Sequence, residues 1–205
     1  RRQRQMCIRD SFMLNPKQAD AGDRCVRALT ELGLHGICLF PAMHRYSIDS
    51  QEADRVFELA AKHGAKAVFV HTGVLSVGIR KKLGLPSYFD IRLGDPLALV
   101  PIASAYPNLT FVIPHFAAGF MREGFMAADL CSNIIFDTSS SNGWIKYDPR
   151  LTLTDVFRQA LSVVGPSRMM FGTDSSFFPR GWQQSIFCLL YTSDAADEGL
   201  GVDLG

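Results

Sequence analysis

Apolar residues fall along this chain in short runs separated by longer amphipathic stretches. Residues 36–40 (GICLF), 67–70 (AVFV), 109–113 (LTFVI), 134–136 (IIF) and 169–171 (MMF, closed by Gly172) predict buried strands. Residues 12–15 read as the tail of a further strand. Between them, apolar positions recur at helical spacing. Val26, Leu29 and Leu32 predict a helix over 20–32, with Gly33 just past its end. Val56, Leu59 and Ala60 predict another, begun at Asp49 with Glu52 three residues on and ended at His63-Gly64. Residues 96–106 follow Asp95 with proline at the first helical position, and 120–130 and 153–164 complete the set. Residues 72–94, with several glycines and Pro86, read as a long loop with room for a short helix, and such loops usually carry function.

Strands alternating with helices argue for a parallel sheet with helices outside. No GxGxxG or GxxxxGK[ST] follows a strand, so nucleotide-binding folds lose support. An open doubly wound sheet and a closed barrel both fit the alternation. Polar residues stand at successive strand ends (His71, His115, Asp137 and Asp174), which favours the barrel, where catalytic groups come from several strand tips. Five or six strands are legible against the eight a barrel needs. The expectation is an α/β chain, an incomplete (β/α)8 TIM barrel whose first strands are missing.

Both termini break the pattern. Residues 1–11 (RRQRQMCIRDS) have no apolar periodicity and resemble the translation of a sequencing adapter. Residues 188–198 (CLLYTSDAADE) resemble its reverse complement, with 199–205 as index and primer. The expected domain division is a non-native tail over 1–11, a partial barrel over 12–187, and a second tail over 188–205. Setting the tails aside leaves the charge near balance, so no nucleic-acid or membrane partner is implied. It also leaves Cys25, Cys38 and Cys131, well apart and without a CxxC, which suits a reducing compartment and the cytoplasm. No apolar run approaches the ~18 residues of a membrane span.

His71, His115 and Asp174 are the candidate site, because imidazole and carboxylate are ligands that Zn²⁺ and similar ions take. Each histidine could equally be a hydrogen-bonded strand end. His35 and His63 sit in a turn and a helix end and read as structural; His44, on the favourable rim, is a candidate substrate contact. Asp137, in IIFDTSSSN, reads as an orienting or turn-capping carboxylate rather than a phosphatase nucleophile, since Ser139 stands where a second aspartate would be needed. Arg180 in FFPRGW could grip a substrate carboxylate or stack on Trp182.

Four blocks in order, FVHTG (69–73), IPHFAAGF (113–120), NIIFDTSS (133–140) and MFGTDSSF (170–177), resemble the amidohydrolase-related family. That is the branch of TIM-barrel metal-dependent hydrolases that includes the amino-carboxymuconate-semialdehyde decarboxylase-like enzymes. The resemblance implies one divalent ion, with zinc the first choice. It makes His71 a ligand at the fifth barrel strand. His115, at the sixth, becomes a second ligand or the acid/base. Asp174, at the eighth, binds the ion or takes the proton of its water. The family's His-x-His pair has no counterpart in the sequence, and Cys38 stands on the strand that would carry a bridging lysine. The implied reaction is hydrolysis of a C–N or ester bond in a small molecule by metal-activated water. Non-oxidative decarboxylation on the same metal, with Arg80, Arg92 or Arg180 as carboxylate clamp, and a barrel that binds without catalysis are the alternatives. A homo-oligomer is compatible with either chemistry.

Overall fold

The computed structural model describes residues 11–77, 80, 82–85 and 89–174. Six parallel strands lie side by side in chain order: β1 (Ser11–Leu14), β2 (Gly36–Leu39), β3 (Ala67–Val70), β4 (Thr110–Ile113), β5 (Ile134–Asp137) and β6 (Met169–Met170). Helices α1 (Ala21–Thr30), α2 (Pro41–His44), α3 (Gln51–Lys62), α4 (Leu99–Ala105), α5 (Met121–Leu130) and α6 (Leu153–Val164) fill the connections. Consecutive parallel strands joined through helices give a segment of a (β/α)8 barrel, not closed among the described residues. Ser11 is the first residue of β1 and pairs with Gly36; residues 1–10 and 175–205, which hold most of both proposed tails and Arg180, lie outside the described residues.

The register sorts the strand residues into two faces. Ile37, Val68, Phe111 and Ile134 align across β2 to β5, and all are buried beneath the helices. Leu39 with Val70, and Ile113 with Phe136, form a second buried row. Each such side chain stabilises the layer by roughly 1.5–3 kcal/mol. The opposite face carries Met13, Cys38, Phe69, Val112 and Ile135 in line. Val112 is buried there, but Cys38, Phe69 and Ile135 are half-buried and Met13 is exposed.

Local chemistry explains the helix ends. Ser50, not Asp49, caps α3, its hydroxyl accepting from the Ala53 N–H; Asp49 instead pairs with the Ser47 hydroxyl. Asp95 accepts from the Leu97 N–H and opens a 3-10 turn, Pro96–Ala98, that leads into α4. Thr152 and Asp155 form a reciprocal capping box on α6, which its sequence allows but the apolar pattern alone does not single out. Arg168 donates to the carbonyls of Val164, Ala128 and Val163, closing the ends of α5 and α6 together. The run 169–171 is not the buried strand its composition predicts. β6 spans two residues, and Met170 and Phe171 are exposed, because β6 borders no further strand among the described residues.

Candidate metal and active site

Because every strand runs the same way, residues at their C-terminal ends share one rim. His71 directly follows β3, His115 follows β4 by one proline, Asp137 ends β5, and Asp174 lies four residues past β6. His44 ends α2, which leads directly away from the tip of β2. His35 precedes β2 and His63 closes α3 before β3, so both belong to the opposite rim.

The structure brings two of the candidates into contact. The rings of His71 and His115 meet edge to face with centroids 4.6 Å apart. Phe40, just beyond β2, stacks on His71 at 5.6 Å and meets His44 edge-on at 6.3 Å. Four aromatic rings therefore run along the rim from α2 to the β4 tip. Burial pushes His71 down to about 3, helped by the neighbouring His115, and His115 down to about 4. Burial lowers His44 as well. Both rim imidazoles are thus neutral at physiological pH, the form in which imidazole binds metals. Each also keeps a buried Nδ1 without a hydrogen-bond partner among the described residues, a donor set that a cation would satisfy.

His115 is held in an unusual way. Residues His115, Phe116, Ala117 and Ala118 all have positive φ (44°, 50°, 59° and 32°), a left-handed turn made without glycine. Such a conformation costs about 1–2 kcal/mol per residue for L-amino acids. Several contacts hold it. Phe116 is fully buried and packs edge-on against Phe157 at 5.1 Å, near Phe136 and Trp144. The Asp137 carboxylate accepts the His115 N–H at 3.2 Å. The Val74 N–H donates to the Ala118 carbonyl at 2.9 Å, and the Gly73 N–H to Gly94 at 2.8 Å. Gly73 lies so close to the turn that a Cβ there would stand 1.9 Å from the Ala117 oxygen.

Asp137 has the orienting part that its setting in IIFDTSSSN suggests. Besides His115, it accepts the Ser139 N–H at 2.8 Å and the Ser139 hydroxyl at 2.5 Å. Burial raises its carboxyl, against the pull of those donors. Asp174 is raised too, by burial and by the charge of Asp137 nearby. Two carboxylates thus lie within electrostatic reach of each other, and one of them, Asp137, holds the His115 main chain. Among the described residues no three or more His, Cys, Asp or Glu side chains stand close enough to hold a metal ion; the two imidazoles supply part of a ligand set. The fork of Arg92 is closed on Asp90, and Arg180 lies outside the described residues. Phe40 and the left-handed turn were not legible as functional in the sequence. A glycine after HT at a strand end was the one available signal for the close approach at Gly73.

A family model described as Amidohydrolase matches residues 9–202. Among solved structures, an uncharacterized TIM-barrel protein from Bordetella bronchiseptica superposes with a TM-score of 0.66 and 17% identity, over 87% of this chain and 59% of that one. A 2,6-dihydroxybenzoate decarboxylase from Rhizobium gives a TM-score of 0.55 and 15% identity, over 84% of this chain and 62% of that one. A 5-carboxyvanillate decarboxylase from Novosphingobium aromaticivorans, solved with manganese, gives 0.52 and 16%, over 80% and 53%. This chain therefore spans about six-tenths of the length of such structures or less, and at these identities the likeness is one of fold.

Proposed function

We propose, from the premise that this chain belongs to the amidohydrolase family, that it carries the metal site of a hydrolase acting on a C–N or ester bond of a small molecule. The observation that supports this reading is the contact of two neutral, buried imidazoles, His71 and His115, at one rim, each with a partnerless Nδ1 among the described residues. A divalent ion, when bound, lowers the pKa of water toward ~7 and polarises a carbonyl. His71 and His115 would hold it, with Asp174 on the same rim. Zinc suits the imidazole and carboxylate set, and manganese is the ion in several solved relatives.

The chain's own groups then divide the remaining work. Phe40 stacks on the His71 ring and fixes its plane. Asp137 holds the main chain of His115 through its N–H and so sets where that ring stands. Asp174, whose raised carboxyl lies nearer neutrality than a free aspartate, takes a proton from the attacking water and returns it to the leaving group. His44, on the same rim, would touch substrate.

Decarboxylation of a small carboxylate is the second reading, favoured by the decarboxylases among the solved relatives. The test is the complete protein, with its preceding strands present. One divalent ion per chain, inhibition by chelators, and loss of turnover in Asp174→Asn with unchanged circular dichroism are expected. Release of CO₂ without any hydrolysed product would select the second reading. A complete protein that retains no ion would remove both.

A further inference from the structure

The hydrogen bonds of Asp137 are distributed unevenly over its carboxylate. Oδ1 accepts the Ser139 hydroxyl at 2.5 Å, the Ser139 N–H at 2.8 Å and the His115 N–H at 3.2 Å. Oδ2 accepts none among the described residues, although the side chain is buried. It is not sealed off as Nδ1 of His71 and Nδ1 of His115 are, so a ligand can reach it. A carboxylate that served only its own turn would spread its donors or leave the second oxygen in water. A buried acceptor without a donor is costly and rare.

Asp137 lies on the face that carries the histidine pair. Side chains alternate along β5, so Asp137 shares a face with Ile135, which lines up with Cys38, Phe69 and Val112 away from the helices. His71 stands two residues beyond Phe69, and its N–H still pairs with the Leu39 carbonyl as a strand residue would, so its ring belongs to that face too. His115 joins the two, its ring meeting His71 and its N–H meeting Asp137. Burial pushes the Cys38 thiol up to about 11, and the charge of Asp137, across the sheet on β5, adds to the rise. An ionised carboxylate oxygen only accepts, so the partner that Oδ2 lacks is an N–H or an O–H.

We propose that Asp137 Oδ2 is a specificity-determining contact, accepting a hydrogen bond from an N–H or O–H of the bound substrate while Oδ1 holds the His115 turn. The inference rests on the reading of this rim as the substrate site. A ligand without a donor at that point leaves the buried oxygen unpaired and is discriminated against.

Benzamide, which carries N–H donors, and N,N-dimethylbenzamide, which carries none, are the probes, titrated by chemical shift into the complete protein. Benzamide is expected to bind about tenfold more tightly or better, the worth of one hydrogen bond to a charged group. Asp137→Asn is the informative variant. The three donors hold its amide oxygen at the Oδ1 position, so its NH₂ replaces Oδ2 and an acceptor becomes a donor. The preference for benzamide should vanish while the His115 N–H keeps its acceptor. A purely structural Asp137 would weaken both probes alike and leave their ratio at the wild-type value. Should the variant not fold, the Asp137 carboxyl carbon of the wild type reports instead: benzamide should shift it and N,N-dimethylbenzamide should not. No preference in the wild type, an unchanged ratio in Asp137→Asn, or no binding of either probe at tens of millimolar would each overturn the proposal. So would a carboxyl carbon that answers to a divalent ion alone, which would make Asp137 a metal ligand. Metal content of the same samples reports on the underlying reading. An Asp137-dependent preference in a protein that retains no ion keeps the contact and removes the metal-assisted chemistry.

Discussion

At the scale of single residues, the site is defined by what burial does to protonation. His71 and His115 in the folded protein lie far below the 6.5 of a free imidazole, so as pH falls the unfolded chain takes up protons first. Their contribution to stability is complete above about pH 6.5. It is lost as pH drops from there toward the folded values, at up to ~1.4 kcal/mol per pH unit for each ring. Asp137 and Asp174, raised by burial, act in the opposite sense and offset part of the loss at the acid end. The metal-free chain should therefore unfold at lower urea at about pH 5 than at about pH 7. Replacing His115 by Gln should flatten that dependence. A midpoint that holds or rises on acidification would contradict the neutral-imidazole account. Asp137, Ser139 and Asp174 illustrate how far sequence reaches at this scale: an aspartate followed two residues on by serine at a strand end does form the local capping turn. Nothing in those residues alone says that the same carboxylate also holds the N–H of His115, twenty-two positions away.

At the scale of elements, the left-handed turn after β4 decides where His115 stands. Its strain is tolerated because Phe116 is buried among Phe136, Trp144 and Phe157, and because the loop after β3 presses on it. Gly73 is the point of contact, with φ +76° and no room for a methyl group. Gly73→Ala is expected to destabilise the fold by about 2 kcal/mol or more and to shift His115. A urea midpoint equal to wild type would show that the turn can relax at no cost. Phe116→Ala should cost about 3–5 kcal/mol by emptying a filled aromatic site. The pattern of apolar residues located β3, β4 and their helices to within a residue or two, since burial on the helix side is a local demand repeated in every unit. It could not reveal a left-handed turn written in alanine and phenylalanine, residues with no preference for that conformation.

At the scale of the whole molecule, the sheet has two unlike faces and two open edges among the described residues. Met13 on β1 and Met170 and Phe171 at β6 are exposed apolar side chains beside unpaired strand edges. Such edges template association, so the chain as it stands should self-associate with rising concentration. Light scattering that stays monomeric across a hundredfold range in concentration would argue against exposed edges. The amino-acid sequence by itself determined the alternation of strands and helices, the parallel order, and the placement of His71, His115 and Asp137 at strand ends, while Asp174 lies four residues beyond the two-residue β6. Those features follow from local periodicity and from the rule that helix crossovers return strands in the same direction. Only the tertiary structure decided which of those ends touch. The 4.6 Å meeting of two histidines and the stacking of Phe40 depend on loops packing against loops. Contacts between segments tens of residues apart leave no periodic trace in any one of them.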